Sequence, residues 1–403
     1  MFSRSVRRHT VGGANRALNS VEIYDRRKVE KGFGIEKMSA YIVFLLIIVI
    51  EWILLFPNAK LTFGKNISYK QKKIFLVIVC VEMICFVGLR TTNLGADTTT
   101  YLNALEYYSS LPHEEILKAK LVWPYDFEVG YFLLTKFCAW LSLSKTSFLF
   151  LIAILIYVPV CWFILQYSEN PLLSVLTYFA FGCFEYSVGI FRQMIALSIV
   201  LIGTKYIKDR KIVKYLLTIG LAMTFHTTAI VMLPLYWMYQ ARLEKRIKWI
   251  FAAEVICFIS ARALVLLAIR VFPKYSGFVS GRYDVQGGSY SMLVLLNLIF
   301  IAGCIIEKRD KNQDNAILRT SINATVIALF LQILGYSMEI VGRIVPYYSI
   351  YLLILIPFLM NRYFKKNIVF IHFIGTMGLI ILFYLLTKNS CINPYSFIFM
   401  NRY

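Results

Sequence analysis

The chain has 403 residues, 59% of them hydrophobic and only 16% charged. Soluble globular domains carry about 25% charged residues, so this composition excludes a water-soluble protein and describes a polytopic membrane protein. The net charge of +21 would suit nucleic acid if the positives shared one face. They fall instead in short stretches between apolar runs, so no nucleic-acid partner is expected and the basic residues read as topology signals.

Residues 1–37 form a basic N-terminal extension with nine Lys and Arg ahead of an integral membrane domain at 38–403. Met38 opens the first apolar run cleanly, which suggests that the natural protein starts there. No cleavable signal peptide precedes that run. Runs long enough to cross roughly 30 Å of hydrocarbon lie at 38–57, 73–89, 146–166, 172–189, 191–207, 248–270, 290–306, 318–338, 343–360 and 367–387. The expected fold is an all-α bundle of about ten to twelve hydrophobic helical segments.

Two further runs do not fit a simple crossing. The run 129–143 is short and begins Glu128-Val129-Gly130-Tyr131, so it reads as a helix lying along the outer membrane surface. The run 211–240 is too long for one straight span, yet both its flanks are basic. It reads as a bent pair of short helices, 212–224 and 227–239, with His226 at the turn; non-helical backbone at that depth must be covered by protein or line a cavity. A single tilted span is the alternative.

The segments 60–73, 205–214, 242–248, 307–319 and 362–366 are basic and therefore cytoplasmic by the positive-inside rule. The loop 90–145, with Asp97, Glu106, Glu114, Glu115, Asp126 and Glu128, then lies outside. The extension 1–37 is the exception: counting spans puts it outside despite its charge. Of eight cysteines, Cys80, Cys85, Cys161, Cys183, Cys257 and Cys304 fall within apolar runs and read as small packing residues. None has metal-ligand spacing, so no metal or cofactor is expected, although Asp97 and Glu128 could share an ion.

With this orientation the unusual polar residues converge on one face. Arg90, Asp97, Tyr101 and Glu128 belong to the external loop, and Arg192-Gln193 heads an inward-going span. Arg282 sits in the loop 271–289, and Gly342-Arg343 lies at the external end of another span. Each has a bland explanation. Arg192 and Arg343 could snorkel to headgroups, Arg90 could pair with Asp97, Glu128 could cap the surface helix, and His226 could be a packed core histidine. His372 reads as packing, and Glu51, Glu82 and Glu254 face the bundle interior without an assignable role. Taken together, guanidinium groups suit a diphosphate and a carboxylate opposite them suits general-base activation of a sugar hydroxyl. The chemistry indicated is glycosyl transfer from a lipid diphosphate.

The chain resembles the EpsG family of Wzy-type polysaccharide polymerases. The resemblance is carried by Gly88-Leu89-Arg90 with Gly95-Ala96-Asp97 and Tyr101, Glu128-Val129-Gly130-Tyr131, Arg192-Gln193-Met194-Ile195-Ala196, Phe225-His226-Thr227-Thr228-Ala229-Ile230, Gly342-Arg343 before Tyr347-Tyr348, and Pro394-Tyr395. The family often has Gly-Thr-Asp where this chain has Gly-Ala-Asp, a departure that leaves the carboxylate in place. The resemblance implies a multi-pass enzyme of the bacterial inner membrane that joins undecaprenyl-diphosphate-linked oligosaccharide repeat units into capsular, exo- or O-antigen polysaccharide on the outer face. A chain-length regulator and a flippase of the same pathway are the implied partners. The arrangement is also similar to GT-C glycosyltransferases, whose first external loop holds the catalytic carboxylate. By that analogy Asp97 is the first choice of base, Glu128 the second, and His226 orients substrate from below. Arg90, Tyr101, Arg192, Gln193, Arg282 and Arg343 would bind substrate. A lipid-linked oligosaccharide flippase and a non-catalytic subunit of an export complex are the competing functions. Neither requires a general base.

Overall fold

The computed structural model describes residues 34–56, 67–122, 125–239, 241–271, 290–309, 315–363 and 368–399. Arg282 and its loop lie outside the described residues. Helix α1 spans Gly34–Leu55 and α2 spans Tyr69–Gly88. Helix α2 opens on a reciprocal cap: the Ser68 hydroxyl accepts from the Gln71 backbone N–H at 3.2 Å, and the Gln71 side chain accepts from the Ser68 N–H at 2.9 Å, satisfying two donors the first turn leaves without helical partners. The segment that follows carries α3, Thr98–Ser109, and α4, Val129–Trp140. At 12 residues, α4 is too short to cross a bilayer.

Helix α5 spans Lys145–Tyr167 and packs along α2. It is followed by α6, Pro171–Ala180, whose Asn170 cap accepts from the Leu173 N–H and whose first residue is proline. Every residue of α6 is buried, with α14 (Leu352–Tyr363) and α15 (Ile368–Thr387) packed against it. This puts α6 at the centre of the bundle. Gly182, at φ +81°, then turns the chain into α7, Cys183–Gly189, at 62° to α6; only glycine takes such a backbone cheaply. The run 172–189, expected as one crossing, is therefore broken. The run 343–360 departs in the same way, bending by 52° between the short helices around Pro346 and α14.

Helix α8, Phe191–Lys208, runs antiparallel to α9, Ile212–Met223, with Gly203 in close contact with Tyr215 and Thr218. After Met223 the helix stops. Thr224, Phe225 and His226 leave the helical path, a 3₁₀ turn covers Thr227–Met232, and α10, Leu233–Met238, completes the segment. The run 211–240 is thus broken in the middle, as expected from its two basic flanks. Helices α11 (Ile247–Val271), α12 (Tyr290–Arg309) and α13 (Ala316–Ser337) follow. The outward side of α11 is apolar and bare, with Val255 60%, Ile256 66% and Ile259 80% exposed. Such a face is stable against lipid and not against water.

Among the described residues five helices, α5, α11, α12, α13 and α15, are long and apolar enough to cross a membrane, or up to seven spans if each bent pair counts as one. The protein is an all-α polytopic membrane protein.

The start of α4 docks onto the break after α9. The Gly130 N–H donates to the Thr224 carbonyl at 2.7 Å, and a Cβ on Gly130 would stand 2.4 Å from the Thr224 hydroxyl oxygen and 2.8 Å from its carbonyl oxygen. Overpacking of this kind costs about 1–3 kcal/mol. Gly130→Ala is therefore expected to lower the midpoint of thermal unfolding in detergent by several degrees. Gly220→Ala, where nothing lies within 4 Å, should leave the midpoint unchanged or raise it.

Candidate active site

Glu128 immediately precedes α4 on extended backbone, yet its carboxylate does not cap that helix. The capping role open to it in the sequence is therefore corrected: the side chain reaches across to two other segments. Its Oε2 accepts from Arg192 Nη1 at 2.6 Å. Its Oε1 accepts from His226 Nδ1 at 3.0 Å and from the Thr227 backbone N–H at 3.2 Å. The three donors come from the first turn of α8 and from the break after α9. Gly130, two residues beyond Glu128, supplies the close approach that lets one short segment meet both.

The electrostatics follow from this geometry. Burial by itself raises the Glu128 pKa, but the His226 hydrogen bond and the Arg192 charge outweigh it and hold the carboxyl at about 2. The Arg192 guanidinium lies over the Phe127 ring at 4.9 Å and the Tyr101 ring at 5.8 Å, contacts worth roughly 0.5–2 kcal/mol each when shielded from water. Its Nε and the Tyr101 and Tyr131 hydroxyls are buried without a hydrogen bond. The Tyr101 ring stacks on Phe191 at 4.9 Å and meets Tyr131 at 5.2 Å. Burial, with Asp97 next, raises the Tyr101 pKa, so Tyr101 stays a neutral hydroxyl.

The break itself is held from below by tyrosines. The Thr228 hydroxyl donates to Tyr347 Oη at 3.3 Å, Tyr215 donates to the Met232 carbonyl at 2.7 Å, and Tyr348 donates to the Val231 carbonyl. His226, expected beneath the site, lies within it. Gln193 is buried, and its side-chain amide donates to the Arg343 carbonyl, bringing the turn after α13 beside α8. The Arg343 guanidinium is half-buried and makes no hydrogen bond or ion pair among the described residues. Asp97 is half-buried at the start of α3 and does not cap it. It is charge-coupled to both Tyr101 and Tyr131.

Arg90 is placed differently from the expectation. It is fully buried, donates to the Val188 carbonyl at 2.7 Å, to Thr98 Oγ1 at 3.3 Å and to the Leu94 carbonyl, and lies over the Phe191 ring at 5.6 Å. It does not pair with Asp97. The site thus gathers Glu128, Arg192, His226, Gln193 and Tyr101, with Asp97 and Arg343 at its edges and Arg90 behind the loop. Among the described residues no group of three or more His, Cys, Asp or Glu could hold a metal ion. Sequence reasoning did not single out Phe127, Thr227 and Tyr347 for the site. Thr227 and Tyr347 stood in the quoted motifs, but Phe127 carries no signal in a single sequence.

A family model described as the EpsG family matches residues 73–397. The chain belongs to the EpsG family. This is a family of Wzy-type polysaccharide polymerases, and at that coarse level the protein is a polymerase-type glycosyltransferase of the membrane. All the motif pieces that carry the resemblance lie inside the matched stretch. No curated protein and no solved structure matched the chain.

In this EpsG-family site the Glu128 carboxylate is engaged by three donors and is a weak base, so the geometry suits it to holding Arg192 and His226 in place. The depressed pKa makes this a pH-dependent contribution of roughly 3 kcal/mol. A depressed carboxyl stabilises fully above its unfolded pKa and loses that contribution as pH falls through the folded value. The stability gap between wild type and Glu128→Gln is therefore expected to shrink as pH falls from about 4.5 toward 2. Thermal unfolding in detergent across that range measures it.

Proposed function

We propose that this protein joins undecaprenyl-diphosphate-linked oligosaccharide repeat units on the outer face of the bacterial cytoplasmic membrane. The observation that carries the reading is the Glu128 carboxylate clamped by Arg192 and His226 beside the loop that holds Asp97, in a chain of a polymerase family. Asp97 is the carboxylate left open at the edge of this cluster and is the general base. It takes the proton of an acceptor sugar hydroxyl as that oxygen attacks the anomeric carbon of the donor. The new carbon–oxygen bond forms while the bond from that carbon to the diphosphate oxygen breaks, and the electron pair departs with the lipid diphosphate.

Arg192 and Arg343 meet the departing diphosphate. Arg192 has Nη1 on Glu128 and its Nε buried, which leaves Nη2 for a phosphate oxygen while the same guanidinium stays fixed to the carboxylate. With its Nδ1–H on Glu128, His226 has Nε2 open to a substrate hydroxyl. Tyr101 and Gln193 hold Arg192 and Arg343 in position. A flippase has no need of this constellation, because it transfers no group.

Arg192→Lys keeps the charge but loses the separate nitrogens that bond Glu128 and a phosphate oxygen at once, so polymer is expected to fall to a small fraction with the protein level unchanged. Full polymer in that variant would leave Arg192 as a headgroup anchor.

General bases contribute about 10²–10⁴-fold in rate, so Asp97→Asn is expected to leave trace polymer with single repeat units accumulating on lipid at the outer face. Accumulation at the inner face would favour the flippase reading. A cysteine at Ser110 should react with an impermeant thiol reagent while one at Asp209 stays protected; the reverse would overturn the external site.

A further inference from the structure

Asp97 sits on a stretch that cannot hold itself. Between Thr91 and Asp97 the three non-helical backbone hydrogen bonds donated among the described residues all leave the segment: Thr91 to the Ser396 carbonyl at 2.9 Å, Gly95 to the Cys391 carbonyl at 3.2 Å, and Asp97 to the Gly189 carbonyl at 3.2 Å. The Leu89 carbonyl in turn accepts from the Ile398 N–H at 2.8 Å, giving a short antiparallel pairing of Arg90 with Phe397. Two of these anchors and the pairing belong to one remote piece of chain, 390–398.

That piece is fastened independently to the bundle. Tyr41 of α1 donates to the Ile392 carbonyl at 2.6 Å, and the Asn393 amide donates to the Thr387 carbonyl at 2.5 Å. Ser390 bonds Glu185 of α7. Tyr395 donates to the Phe86 carbonyl of α2, and its ring lies flat on the Phe86 ring at 4.3 Å. Gly95, at φ +95°, is pressed so close to Gly189 that a Cβ would meet its Cα at 2.6 Å. The loop is thus wedged between α7 on one side and the 390–398 segment on the other.

We infer that residues 390–398 are a positioning strap that fixes the Asp97 carboxylate for proton transfer, with Tyr395 as its principal fastening. None of these residues touches the reacting atoms. The inference deepens the polymerase reading and rests on it for its catalytic part; its geometric part stands without it.

Tyr395→Ala removes both the ring stack and the hydrogen bond, while Tyr395→Phe keeps the stack. A displacement of about 1 Å at a reacting group can cost about 10²-fold, so Tyr395→Ala is expected to lower kcat by about that factor. The KM for the lipid-diphosphate donor should stay nearly unchanged, since donor binding lies with Arg192 and Arg343. Tyr395→Phe should recover most of the rate.

The second readout needs no activity. In a Cys391→Ser background, a cysteine at Asp97 should react faster with an impermeant maleimide when Tyr395 is Ala than when it is Tyr or Phe. Unchanged kcat or unchanged labelling in Tyr395→Ala overturns the strap, as does a joint loss of kcat, donor affinity and thermal midpoint, which marks general structural support. If wild type makes no polymer from a lipid-diphosphate donor, the polymerase reading fails and the labelling result alone decides the strap.

Discussion

A carboxylate withdrawn from water has to be met by donors, and for Glu128 those donors come from segments that are remote in the chain: Arg192 of α8 and the His226–Thr227 break. The same contact solves a second problem. Where α9 stops after Met223, backbone groups lose their helical partners, and in an apolar surrounding each unsatisfied group costs several kcal/mol. Here the Thr227 N–H goes to Glu128 and the Thr224 carbonyl accepts from Gly130, while the Val231 and Met232 carbonyls accept from Tyr348 and Tyr215. The broken helix and the charged cluster therefore stabilise each other.

The two carboxylates of the cluster are engaged differently. Glu128 is saturated with donors and held at about 2, so it organises cations. Asp97 is not taken up by its own helix cap, and in the proposed mechanism it is the group that exchanges a proton. Tyr101, Tyr131, Phe127 and Phe191 form a cluster of rings in mutual contact, with the Arg192 guanidinium over Phe127.

Arg90 shows how an expensive residue can serve the site without entering it. A buried guanidinium has to be given acceptors, and the acceptors available are carbonyls at the end of α7 and in the Asp97 loop itself. The charge that reads as a ligand-binding group in the sequence is used to join the loop to the bundle. The two glycines in contact behind it, Gly95 and Gly189, allow backbones to meet where no side chain fits.

Composition, run lengths and the basic flanks were enough to establish an all-α membrane bundle, a helix too short to cross at Val129–Trp140 and a run at 211–240 that is broken, because hydrocarbon thickness and charge transfer act on the chain locally. Ordered motif pieces pointed to the EpsG family for the same reason: they are strings of neighbours. Which carboxylate would be clamped was decided only in three dimensions. Glu128, Arg192 and His226 are separated by 64 and 98 residues from one another's contacts, and no periodicity of apolar residues encodes how α4, α8 and the break after α9 cross. The bends at Gly182 and after Ser349 were hidden similarly, since a broken span and a straight one have the same apolar length. Arg90 and Arg192 look alike in sequence, each beside a span end; the tertiary structure surrounds one with carbonyls and sets the other against a carboxylate and aromatic rings, and that difference in acceptors separates a loop anchor from a cation of the candidate site.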